Sequence, residues 1–190
     1  MQAGVLRYIQ WIWIGVGAVW LMGAAASKRA ARHEAASSRL LHVAIMTTAF
    51  LLFYSAGRRS GPFAWRFVPD TDTVEWTGLA LTAAGCVFAI WARIMLAGDW
   101  SASVTVKRDH RLVRQGPYGI VRHPIYSGFL LALAGTALAL GEWRAMAGLV
   151  LAFIGWHLKS RVEENFMAEQ FGAEYAAYQR EVKALIPFVL

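Results

Sequence analysis

Apolar residues arrive along the chain in long blocks, and those blocks set the first expectation. Residues 8–26 carry no Asp, Glu, Lys or Arg, and neither do residues 40–57. Residues 76–97 are interrupted only by Arg93. Two shorter blocks, 125–141 and 145–158, are separated by Glu142, Trp143 and Arg144 alone. The first three reach the ~20 residues that cross ~30 Å of hydrocarbon. The last two are shorter, and so brief a link between them predicts a tight helical hairpin. The pattern therefore reads as an all-α integral membrane protein with about five transmembrane helices, the last two a short hairpin. The first block lacks a strongly basic leader and carries Trp11, Trp13 and Trp20, so it is expected to be retained rather than cleaved as a signal peptide.

Composition agrees with that class. Of the 190 residues, 57% are hydrophobic and 16% charged, against about half and about a quarter in soluble domains. The single cysteine, Cys86, lies mid-block in the third apolar run, where packing is the expected role. A net charge of +7 could suggest a nucleic-acid partner, but the basic residues follow topology. Lys28, Arg29, Arg32 and Arg39 fall in the first loop, and Lys107, Arg108, Arg111, Arg114 and Arg122 in the third. Lys159, Arg161, Arg180 and Lys183 follow the last span. The positive-inside rule then puts the N-terminus outside and the C-terminus in the cytoplasm, and no nucleic-acid partner is expected. The compact length suggests a prokaryotic inner membrane.

Polar chemistry gathers in two stretches on that cytoplasmic side. One is residues 99–124, DWSASVTVKRDHRLVRQGPYGIVRHP, in which SVTV reads as a short extended piece and RDH as a turn. The other is the tail from Lys159, whose Val162, Phe166, Phe171, Tyr175 and Tyr178 recur at roughly helical spacing and predict an amphipathic helix broken near Gly172. The division is thus a three-helix part, 1–98, and a catalytic part, 99–190. The loop around GPFAW and PDTD, on the other side, is expected only to cap the bundle.

A hairpin returns its two ends to one place. RHP at its start and RVEE at its finish should therefore be neighbours, bringing Tyr118, Arg122, His123 and Tyr126 close to Lys159, Arg161, Glu163 and Glu164. Pro124 suits the first turn of a helix. The loop before it is expected to aim backbone N–H groups and a helix dipole at an anion, with Gly116 and Gly119 letting a ligand approach closely. Glu163 and Glu164 point about 100° apart on a helix, so one can serve a ligand while the other pairs with a cation. His42 and His157 read as packed, His110 as a turn residue. Arg93, ionisable within a span, is either functional or snorkelling. No metal ligand set is expected.

The run GDWS, LVRQGPYGIVRHPIYSG, EE, FGAEYAAYQ and a closing Pro187 resembles the isoprenylcysteine carboxyl methyltransferases and their prokaryotic relatives, from about Trp91 to Pro187. The resemblance implies an integral membrane enzyme that uses S-adenosylmethionine in a pocket built from the cytoplasmic loop and C-terminal helix. The acceptor it implies is lipophilic, a small molecule or a lipidated one, arriving from the bilayer. It assigns cofactor binding to Gly116, Pro117, Tyr118, Val121, Arg122, His123, Pro124, Tyr126, Glu163 and Glu164, and chemistry to Arg161, Glu164 and Arg93, with Glu164 ahead of Glu163. Trp100 accompanies Ser101 in the matched loop. A carboxylate acceptor needs no base and would be held by Arg161, Lys159 or Arg93. A thiol would need Glu164 or His123 as base. An RHPxYxG-like turn and a Tyr-rich tail also occur in NADPH-dependent membrane sterol reductases, and a sensor or scaffold that keeps the pocket without the chemistry is a third reading.

Overall fold

The computed structural model describes residues 2–25, 36–55, 63–96 and 112–189. The expectations for SVTV, RDH, His110, Trp100 and Ser101 fall outside the described residues. Six α-helices are described: α1 (Gln2–Ala25), α2 (Ala36–Ser55), α3 (Asp72–Leu96), α4 (Pro124–Leu140), α5 (Trp143–Phe171) and α6 (Ala173–Glu181). A single 3-10 turn, Gly116–Gly119, precedes α4.

Among the described residues, three helices are long and apolar enough to cross a membrane: Gly4–Gly23, Ala36–Ser55 and Asp72–Leu96. Helix α4 is apolar but has only 17 residues. Helix α5 has 29, because no breaker separates the last apolar block from RVEEN. The helix runs straight through the expected boundary at Lys159 and ends at Gly172, where the tail was expected to break.

Helix α3 packs most extensively on α4, through small residues. A Cβ on Gly78 would stand 2.6 Å from the Gly135 carbonyl oxygen, and one on Gly128 2.7 Å from the Gly85 oxygen. So close an approach is how apolar helices attract without a hydrophobic driving force. Polar contacts cross the seam: the Thr82 hydroxyl lies 3.2 Å from the Ala132 carbonyl oxygen and 3.2 Å from the Thr136 hydroxyl. Trp13 of α1 donates its indole N–H to Thr136 (3.1 Å). Helix α5 meets α2 in the same manner. Gly148 lies against Phe53 and the Ala49 carbonyl, and Gly155 against Met46, with His42 Nδ1 3.2 Å from the Gly155 oxygen. His42 is therefore a packing residue, as is His157, stacked on Phe153. The parts 1–98 and 99–190 consequently interleave in one bundle. Cys86 packs with Val16 and Ala132.

The hairpin is present. Helix α4 ends at Gly141, whose φ of +69° suits glycine, and α5 begins two residues later. Residues 63–71 cross the hairpin tip. Phe67 N donates to the Gly141 oxygen (2.8 Å), Trp143 N to that of Trp65 (3.1 Å), and Arg66 to that of Leu140 (3.1 Å). A buried pair, Arg144 with Glu142 (2.6 Å), closes this end. These residues cap the bundle as expected and leave the opposite end of the hairpin for the polar cluster.

Candidate functional site

At the open end of the hairpin the first residues of α4 face the charged part of α5. Arg122 donates through Nε (2.9 Å) and Nη2 (2.6 Å) to Glu164 Oε1. His123 lies between two carboxylates, with Nδ1 3.4 Å from Glu163 Oε2 and Nε2 3.3 Å from Glu164 Oε1. The Tyr126 hydroxyl donates to Glu163 Oε1 at 2.6 Å. The proximity read from the short link is thus realised side chain by side chain.

The two glutamates differ in what they have left to give. Glu164 also accepts from Gln179 Nε2 (3.3 Å), and its side chain is 11% exposed. Glu163 holds one partner on each oxygen and is 23% exposed, so it keeps acceptor capacity at an accessible edge. Glu164, which was expected to lead, is the more enclosed of the two. The reason is helical phase: Trp156, Ser160 and Glu164 share the buried face of α5, and Glu163 stands about 100° round from Glu164.

A tail strap completes the walls. After α6 the chain runs beside the start of α4, where Arg122 N donates to the Lys183 oxygen (2.8 Å) and His123 N to that of Ala184 (3.0 Å). Ser127 Oγ donates to the Leu185 oxygen (2.5 Å), and Arg122 Nη1 to those of Gln179 and Val182 at the end of α6. Within the turn, the amides of Tyr118, Ile120 and Val121 donate to Gln115 and Pro117. The amides of residues 118 and 120–123 are therefore all engaged within the protein. Gly116 has a φ of +60°, a conformation that favours glycine.

The remaining expected site residues separate clearly. Pro117, Val121 and Pro124 are fully buried, so their side chains shape the turn. Tyr118 is buried too. Its hydroxyl reaches the Ala92 oxygen (3.4 Å) and its carbonyl accepts from the Tyr178 hydroxyl (2.5 Å). Burial pushes the Tyr178 phenol up to about 12, so it stays a donor. Arg161 is exposed on α5, one step round from the buried Ser160, and is not brought into the cluster. Arg93 lies against α1 instead, its guanidinium 4.9 Å from the Trp20 ring and against Gly23. Lys159 is the cation whose charge reaches Glu163. Gln179 and the 182–185 strap were not singled out from the sequence; the strap acts through carbonyls, which leave no residue signature.

The electrostatics follow from this geometry. Burial works against the charge on Glu164, but bonds from His123 and Arg122 outweigh it and bring its pKa from 4.5 to about 2. Glu163 is lowered as well: burial opposes its charge, and His123, Lys159 and Tyr126 overcome it. Burial alone would deprotonate His123, yet both carboxylates hold its proton and raise its pKa. With an acceptor at each ring nitrogen, the imidazolium, a donor at both, is the form that fits. The glutamates then contribute stability that is full above pH 4.5 and lost as pH falls toward 2. His123 contributes stability that is full below its ordinary 6.5 and lost as pH rises through its elevated value. Thermal unfolding in detergent should therefore plateau between those limits, and His123→Gln should flatten the alkaline limb. An alkaline limb unchanged in His123→Gln would assign it to another group.

Comparison with known proteins adds the family. Residues 74–174 match the family model PEMT, phospholipid methyltransferase. Protein-S-isoprenylcysteine O-methyltransferase B of Arabidopsis thaliana is 30% identical over 131 residues, 65% of this chain and 66% of that protein. The Saccharomyces cerevisiae protein-S-isoprenylcysteine O-methyltransferase is 39% identical over 120 residues, 57% of this chain and 49% of that protein. The chain thus spans from about half to just under two thirds of these two relatives' length. Among solved structures, the eukaryotic intramembrane Ras methyltransferase ICMT (isoprenylcysteine carboxyl methyltransferase) superposes with a TM-score of 0.57 at 23% identity, covering 82% of this chain and 54% of that one. At that identity the likeness is one of fold.

Proposed function

The chain belongs to the phospholipid methyltransferase family, alongside the isoprenylcysteine carboxyl methyltransferases, and on that premise we propose that it methylates a lipophilic carboxylate reached from the membrane, with S-adenosylmethionine as donor. The observation that carries the carboxylate is the state of His123. A thiol or amine acceptor needs a base, and both candidates are committed elsewhere. His123 is held protonated between Glu163 and Glu164, and Glu164 is lowered to about 2 with both oxygens bonded. A carboxylate is already the nucleophile, so a site built this way does its work by positioning and by excluding water.

The donor set fits the cofactor on one side. Glu163, part-exposed and oriented by Tyr126 and His123, suits an ammonium or a ribose diol. With the amides of residues 120–123 engaged, the cofactor's own carboxylate is assigned to a side-chain cation, and Lys159, about one turn before Glu163 on α5 and near enough for its charge to lower that carboxyl, is the candidate. Bound there, S-adenosylmethionine supplies an electrophilic methyl on a positively charged sulfur. Arg122 and Glu164 hold α4, α5 and the tail together around it. Arg93, packed on Trp20, and Arg161, exposed on α5, remain candidates to hold the acceptor at a distance from the cluster.

In this reading α4 and the first half of α5 join the three longer spans as a five-helix membrane domain. The cluster then opens at the cytoplasmic face, where the basic residues gather. Purified protein given S-adenosylmethionine with a labelled methyl group and a membrane extract is expected to label an extractable lipophilic product. Mild alkali should release that label as methanol, as it does from a methyl ester. Label that resists alkali would replace the carboxylate with a nitrogen or sulfur acceptor.

A further inference from the structure

We infer that Trp156 is a positioning residue that sets the ligand-facing carboxylate of Glu163 through the ring of Tyr126. Trp156 lies on the buried face of α5 and is 8% exposed. Tyr126 stacks on it at 5.9 Å with 14° between planes, and Phe129, one turn along α4, at 5.7 Å and 17°. Tyr126 also stacks on His123, at 5.7 Å and 9°. Four rings from two helices therefore run nearly parallel, and the line ends on the two side chains that touch Glu163.

The line is anchored at its other end. Phe129 packs on Trp13 (6.1 Å) and Trp20 (4.9 Å) of α1, and Trp13 is itself fixed by its hydrogen bond to Thr136. A tyrosine ring whose tilt is set by stacking places its hydroxyl at one point, and that point is Glu163 Oε1, 2.6 Å away. Glu163 needs such support because, unlike Glu164, it has neither an arginine nor a glutamine bonded to it. Among the described contacts Trp156 reaches Glu163 through Tyr126, so the two residues act in series. Removal of either ring's contribution has one consequence, the loss of the bond to Oε1, and that consequence can be lost only once.

This inference rests on the methyltransferase reading for one of its two readouts. The intact chain in detergent is titrated calorimetrically with S-adenosylmethionine. The Glu163 carboxyl is followed against pH by 13C-glutamate NMR, assigned with Glu163→Gln. Tyr126→Phe and Trp156→Leu are each expected to weaken binding by about tenfold, the scale of one aromatic stack or one neutral hydrogen bond. The double variant should be no weaker than either single one, and Trp156→Phe, which keeps a ring, should recover most of the loss. Both Tyr126→Phe and Trp156→Leu should raise the Glu163 titration midpoint. Additive losses, or a midpoint unmoved by Trp156→Leu, would overturn the inference. Should Trp156→Leu fail to fold, Trp156→Met carries the same expectations. A wild-type chain that binds no S-adenosylmethionine would remove the methyltransferase reading, and the NMR midpoints would then decide the inference alone.

Discussion

Glu164→Ala is expected to destabilise the chain by about 3–5 kcal/mol, the scale of breaking one side of a buried ion pair. The cost comes from what remains rather than from what is removed. Arg122, with a side chain 10% exposed, would keep its charge and lose its carboxylate, and His123 would lose the partner at Nε2. Arg122 also holds the carbonyls at the end of α6, so the tail strap should loosen with it. Thermal unfolding in detergent should show a large fall for Glu164→Ala and a smaller one for Glu164→Gln, which keeps an acceptor for Arg122. A fall no greater than that of an exposed carboxylate such as Glu174 would show that the network is not holding α5 to the tail.

Gly85→Leu should be about as damaging, for a different reason. Its Cβ would stand 2.5 Å from the Gly128 carbonyl oxygen, with the backbone of Ala132 closer still. Backbone within a helix cannot turn aside as a side-chain end can, so α3 and α4 must separate. Overpacking costs about 1–3 kcal/mol where neighbours can adjust, and here the upper end or more is expected. The seam also carries the contacts of Thr82 with Ala132 and Thr136 and aligns α4, whose first turn bears the site. Gly17→Leu, where a Cβ meets nothing within 4 Å, should stay within about 0.5 kcal/mol of wild type. Equal effects of the two substitutions on melting in detergent would contradict this packing.

The cluster was legible in the sequence because a hairpin leaves little freedom. Three residues between two apolar blocks force RHP onto RVEE, and Arg122, His123, Tyr126, Glu163 and Glu164 duly meet. The order of the glutamates was not legible, since adjacent residues on a helix differ only in phase, and phase depends on what α5 packs against. The tail's hold on the turn was not legible, because it supplies carbonyls to the amides of Arg122 and His123, and a carbonyl carries no side-chain mark. Arg161 was placed near the cluster correctly by position but faces away by rotation. Arg93 turned toward Trp20 and Gly23, a contact between distant segments that spacing cannot foretell. Gly116 was read as a ligand-approach glycine; its positive φ is a further reason for glycine there, and one that spacing does not reveal.

The most direct test of the site is calorimetric titration of the purified intact chain with S-adenosylmethionine and, separately, with NADPH, each repeated on Glu163→Gln. Binding of S-adenosylmethionine by the wild-type chain, weakened at least tenfold in a Glu163→Gln chain that still unfolds cooperatively, is the expected result. Binding of NADPH alone, or equal affinity of the wild-type and Glu163→Gln chains for S-adenosylmethionine, would contradict it.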